Sequence, residues 1–194
     1  MKLPRRFALS LAACVAAVFT LFLARPAAAA VVVALSREAL VAESDLVVRA
    51  TVLSRKSAWN AGHTQIQTWT TLRVDEYLKG QGPRELVLRQ IGGETDGLVT
   101  EIAGDGHVLP GEAAVLFLRR GDDVVFLTAL AQAVYLVHVK PDGVALAQRD
   151  LAGLTFARWV GGRMQTVEAS REPSEAVVDL ARSVRALAAK GKRP

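Results

Sequence analysis

Between residues 45 and 148, apolar and polar positions alternate with a period close to two, and short runs of glycine, proline and asparagine interrupt them. In "DLVVRATVLS", Leu46, Val48, Ala50 and Val52 fall on one side while Arg49 and Thr51 fall on the other, as in a strand with one buried face. A second strand is expected from Gln65 to Val74, with Ile66, Leu72 and Val74 inward and Gln67, Trp69, Thr71 and Arg73 on the opposite face. "SAWNAGHT" between them reads as a polar connection that turns at Asn60 and Gly62. Tyr77-Leu78 adds apolar mass before Lys79-Gly80-Gln81-Gly82-Pro83 reverses the chain, and Glu85–Ile91 resumes the alternation. "AAVLFLRR", "DVVFLTAL", "AVYLVHVK" and "VALAQ" follow, with turn signals at Gly121-Asp122, Ala131-Gln132 and Pro141-Asp142-Gly143. In the last of these, proline presets its φ and glycine accepts a positive one. "GGETDGLVTEIAGDGHVLPGE" predicts a long mobile loop around a short strand.

Helical spacing occurs only near the ends. Residues 36–43 predict a short helix with Ser36 as N-cap. Near the other end, Val177, Leu180, Val184 and Leu187 recur at helical spacing within 174–190, after Pro173 and with Glu175 suited to a helix start. That amphipathic helix is expected to pack on the sheet. Arg182, Arg185, Lys190, Lys192 and Arg193 give it a basic end, read as a solvated terminus rather than a membrane contact. The pattern as a whole predicts a mainly β protein, a small closed or partly open barrel with a short N-terminal helix and a C-terminal amphipathic helix. The barrel is expected over residues 31–150 and a C-terminal extension over 151–194.

The first thirty residues have a different character. Lys2, Arg5 and Arg6 precede an apolar run from Phe7 to Ala24, and Ala27–Ala30 end it with small side chains. This is the three-part pattern of an export signal, with cleavage expected after Ala29 or Ala30 and a secreted or periplasmic product. Retention of the run as a membrane anchor is the alternative, since its length approaches that of a span. Leu11-Ala12-Ala13-Cys14 resembles a lipid-attachment box, but the apolar run continues well past Cys14.

Removing the segment changes the charge argument. Without Lys2, Arg5, Arg6 and Arg25, the 24 basic residues fall to 20 against 19 acidic ones, a balance of +1. That gives no case for nucleic acid, which needs a concentrated basic surface. The one cysteine, Cys14, also leaves, so no disulfide or thiolate metal site is expected.

"SDLVVRATVLS", "TLRVDEYLKGQGPRELVLRQ" and "LPGEAAVLFLRR" together resemble the netrin-like group of OB-fold domains, which includes the tissue inhibitors of metalloproteinases. The resemblance covers roughly residues 36–140 and implies an OB-like barrel in an exported protein. Its inhibitors chelate zinc through a disulfide-tethered amino-terminal cysteine, and no residue here matches that cysteine. The inhibitory mechanism therefore does not carry over.

Candidate chemistry is sparse. His63 lies in a turn, His138 between Val137 and Val139 reads as a sheet-surface residue, and His107 follows Gly104-Asp105-Gly106 in a loop. No metallopeptidase helix, nucleophile elbow or phosphate loop is present, so an enzyme is not expected; a hydrolase with an unrecognised site is one alternative. Glu94, Asp96, Glu101, Asp105 and Glu112 crowd the 94–112 loop, read as solvated acid rather than a calcium site. No cofactor is expected.

The candidate ligand-binding residues are Trp59, Trp69, Arg73 and Arg49. Trp69 stands beside Arg73 and, across the expected hairpin, from Arg49, so that an aromatic flanked by cations faces outward. The competing reading has a terminal helix covering Trp69. Trp59 is expected to be exposed, and Trp159 to anchor packing. The function expected is a non-enzymatic binding module for an envelope or extracellular protein or glycan, and a peptidase-inhibitor role is the version of it that the resemblance alone implies. Its rival is an envelope assembly factor tethered by an uncut leader.

Overall fold

The computed structural model describes residues 30–169 and 172–191. The expected leader, including Ala29, and the basic pair Lys192 and Arg193 lie outside the described residues. Ala30 is described, as the first residue of a strand.

The chain runs β1 (Ala30–Val33), α1 (Arg37–Glu43), β2 (Leu46–Trp59), β3 (Ile66–Lys79) and β4 (Glu85–Ile91). A small hairpin of β5 (Gly93–Thr95) and β6 (Leu98–Thr100) follows, then β7 (Ala113–Arg120) and β8 (Val125–Leu127). A 3-10 turn at Leu130–Ala133 leads to β9 (Val134–Val139), β10 (Ala145–Gln148), β11 (Leu154–Val160), β12 (Arg163–Glu168) and β13 (Glu175–Ala176). α2 (Val177–Lys190) closes the described chain.

The described residues are mainly β, with two helices and a closed five-stranded barrel. Around the barrel the strands run β2, β3, β4, β8, β7 and back to β2. All contacts in this circuit are antiparallel except β4 with β8, which is parallel. β9, β10 and β13 extend the sheet outward from β7. β1, β11 and β12 form a separate three-stranded sheet in which β1 lies parallel to β11, tying the start of the described chain to residues 154–157.

The alternation in β2 fills the barrel as its pattern requires. Leu46, Val48, Ala50 and Val52 join Leu72, Leu88, Leu116 and Leu118 inside it. β2 and β7 are buried on their other face too, because α1 and α2 lie there. Val47, Val115 and Phe117 pack under Leu40, Leu180 and Val184. That second covering explains the nearly continuous apolar run in "AAVLFL", since a strand buried on both faces loses its alternation.

Several elements differ from expectation. β2 continues to Trp59 and β3 to Lys79, so the turn is confined to 60–65. The Ser57 and Thr68 hydroxyls bond at 2.8 Å across this extended ribbon. The register shift at Val52/Ser54, where Leu53 is the extra residue, changes the phase of β2, which hides its length from a simple period. α2 starts at Val177 rather than 174. Its N-cap is Ala176, without a side-chain bond, and the preceding Glu175 pairs with Ala147 in β13 while its carboxylate meets Arg37. The α2 face itself is as expected, with Val177, Leu180 and Val184 buried and Leu187 packed beside them. Among the described residues no helix is long and apolar enough to cross a membrane.

The Leu78-Lys79-Gly80 unit joins these layers. Leu78 packs under the helices, and Lys79 Nζ donates to the carbonyls of Val41 and Ser44, the latter at 2.7 Å, at the C-terminal end of α1. A cation there also suits the negative end of the helix. Gly80 then turns with φ +75, where a Cβ would stand 2.7 Å from the carbonyl oxygen of Asp45. Only glycine fits that approach without strain.

Candidate functional site

Strand register decides which outward residues are neighbours. Lys56 on β2 is opposite Trp69 on β3, and Trp69 is opposite Arg89 on β4. The Arg89 guanidinium lies over the Phe126 ring of β8, 4.8 Å from its centroid, within cation–π range. Lys56, Trp69, Arg89 and Phe126 therefore form one row across four strands of the barrel wall. Trp69 is half-buried and lies outside the apolar clusters that the helices cover. Among the described residues the helical cover reaches β3 near Glu76 and Leu78, where Arg185 meets Glu76.

The remaining expected residues do not join this row. Arg49 is opposite Glu76, seven residues from Trp69, or about 23 Å along the strand. The supposed Trp69–Arg49 juxtaposition is thus corrected: the hairpin pairs Trp59 with Ile66 at its tip, and that register sets Arg49 between Val115 and Glu76, where its Nε is buried without a hydrogen bond among the described residues. Arg73 shares the outer face but is engaged by Asp75 at 3.3 Å and by the Thr51 hydroxyl at 3.3 Å. Trp59 is half-buried rather than exposed. It stacks on His63 with centroids 5.9 Å apart, and its Nε1 donates to Asp96 at 2.9 Å, fastening the ribbon tip to the β5–β6 turn. Trp159 sits in β11 at the register position opposite Met164.

At one end of the row a cleft of about 380 Å³ opens between β4 and the segment after β8. Its apolar lining comes from Ile91, Ile102, Phe126, Leu127 and Leu130. Leu130 holds φ +48, an unfavourable left-handed conformation for a bulky side chain, at the point where the chain leaves β8 for the 3-10 turn. The polar lining includes Arg89 and three amides, Gln65, Gln67 and Gln90. Gln67 donates to Gln65 at 3.3 Å, which sets one edge.

Asp105 forms the wall between this cleft and a second one of about 300 Å³, lined by His107, Leu109, Glu112 and Leu136 among others. Its carboxylate accepts from the Gly106 N–H at 2.9 Å and from Gln90 Nε2 at 2.9 Å. Burial pushes the Asp105 carboxyl above its ordinary value of 3.8, while the Gly106 N–H, His107, Gln90 and Arg55 each pull it partly back. Both oxygens are thus committed to holding the loop. The other acids of that loop are dispersed: Asp96 is on Trp59, and Glu112 accepts from the Leu109 N–H at 2.7 Å. Among the described residues no three His, Cys, Asp or Glu side chains converge as a metal set. His138 is exposed on β9.

Arg89, Gln90 and Phe126 escaped the sequence reading, and Asp105 was read as a solvated loop acid rather than a buried one, because the residues that meet there come from separate segments. One signal was present: after Leu86 and Leu88, Gln90 takes the next inward position of β4, and a polar residue there needs a partner. Compared with family models and with curated proteins, the chain matches none.

Proposed function

We propose that the protein is an exported, non-enzymatic binding module on an OB-like barrel, which meets a protein or glycan partner on the outer face of β3 and β4. The row of Lys56, Trp69, Arg89 and Phe126 carries this reading. It offers an aromatic surface and two cations that have no ion pair among the described residues, beside a cleft large enough for a side chain or a sugar ring. Taken in chain order, the barrel strands have the circuit 1-2-3-5-4-1 with the third and fifth parallel, which supports the OB-like assignment and the netrin-like resemblance. In barrels of that type the second and third strands and adjoining loops take ligands. Export rests on the basic, apolar and small-residue order of positions 1–30.

Peptide and glycan arrays probed with wild type, Trp69→Ala and Arg89→Ala test the reading. A ligand held by wild type and released by both variants is expected. Binding that survives both substitutions removes the assigned face, and no binding on either array removes the binding module itself.

A further inference from the structure

The cleft lies where the barrel wall is least complete. β4 runs to Ile91 and stays paired with β3 to its end, through Gln67 and Ile91. On its other side it meets β8 at one position only, Leu88 with Val125. β8 ends at Leu127, and Leu130 turns the chain away with φ +48. Beyond Leu88, then, no strand among the described residues is paired with the outer edge of β4, and the 380 Å³ cleft occupies that side.

We infer that this cleft receives an extended acidic peptide, which adds as a strand along Arg89–Ile91 of β4. The inference rests on the binding-module reading and specifies its partner. A strand edge offers backbone groups spaced for another strand about 4.8 Å away, and side-chain pockets then give specificity. Ile91, Ile102, Phe126, Leu127 and Leu130 supply an aliphatic-rich floor for the apolar side chains of such a peptide. Ile91 is 48% exposed and Ile102 37%, so the floor is open to a visitor. Arg89 above Phe126 meets its acidic side chains, since it has no anionic partner among the described residues. A mainly aliphatic floor favours a peptide over a sugar, whose ring faces call for aromatic platforms.

The probe is a fluorescein-labelled heptapeptide set in which Val, Leu or Ile alternates with Asp or Glu, offered to protein expressed from the full 194-residue chain. Each binder is remade with N-methyl groups on one alternating set of amides or on the other. Expected results are binding abolished by one N-methyl set alone, slowed amide exchange within residues 89–91, and at least about tenfold weaker binding by both Arg89→Glu and Ile91→Glu. The second variant guards against a folding defect in the first, and circular dichroism checks both. Peptides that bind but tolerate both N-methyl sets overturn strand addition. If no peptide binds while a glycan is held in a Trp69-dependent way, this inference fails and the binding module stands. If neither binds, both fall.

Discussion

Gln90 Nε2 donates to Asp105 Oδ2 at 2.9 Å and to the Gly106 carbonyl at 2.8 Å, so one buried amide fixes the loop that divides the two clefts. Replacing it with an apolar side chain leaves a buried carbonyl without that donor and Asp105 short of one. Gln90→Leu is therefore expected to cost about 1–3 kcal/mol in urea unfolding. It should also loosen residues 104–107 in hydrogen exchange. An unchanged midpoint would show that the loop is held by other contacts.

Asp105 makes stability depend on pH in a definite direction. Its folded carboxyl binds a proton more tightly than the unfolded one, because burial outweighs its donors. The associated stability is fully present below the ordinary value of 3.8 and is lost as pH rises through the raised folded value. Thermal unfolding of wild type and Asp105→Asn from below pH 3.8 up to neutral pH tests this. The wild type should lose stability relative to the variant as pH rises; parallel curves would refute the linkage.

Gly80 and Gly97 separate two costs of a side chain. Both have positive φ, +75 and +73, but a Cβ at Gly80 meets Leu46 and the Asp45 carbonyl, while one at Gly97 meets nothing within 4 Å. Gly97→Ala should cost about 1 kcal/mol from backbone strain. Gly80→Ala should cost clearly more, because backbone atoms cannot yield as a flexible side chain does. Equal losses in denaturant titration would mean that the turn relaxes freely.

How much of this was legible follows from the reach of each signal. The inward sets of β2 and β4 and the buried face of α2 are local patterns, and the sequence displayed them. β1 and β11 pair in parallel across more than a hundred residues, and nothing in "AVVV" announces its partner. The start of α2 misled because the Arg37–Glu175 contact is tertiary and draws Glu175 into a strand beside β10. Trp69 was visible as an outward aromatic. Its neighbours were not, since β2 runs on to Trp59 and the short turn at 60–65 sets Lys56 rather than Arg49 nearby, and Arg89 and Phe126 arrive from β4 and β8.

Thr70 gives the last prediction. It is fully buried on the inward side of β3, paired in register with Leu88, and its hydroxyl has no hydrogen-bond partner. Valine has nearly the same shape and carries no polar atom to desolvate. A buried hydroxyl without a partner is destabilising by about 1–3 kcal/mol relative to a satisfied one. Thr70→Val should thus raise the unfolding free energy by about 1 kcal/mol, with an unchanged dependence on urea. Trp69→Ala is the useful companion, because Trp69 is one residue away but outside the apolar clusters. Its loss should disturb ligand capture far more than stability. If Thr70→Val destabilises instead, the hydroxyl has a partner in solution, such as a water inside the barrel end near Gln90.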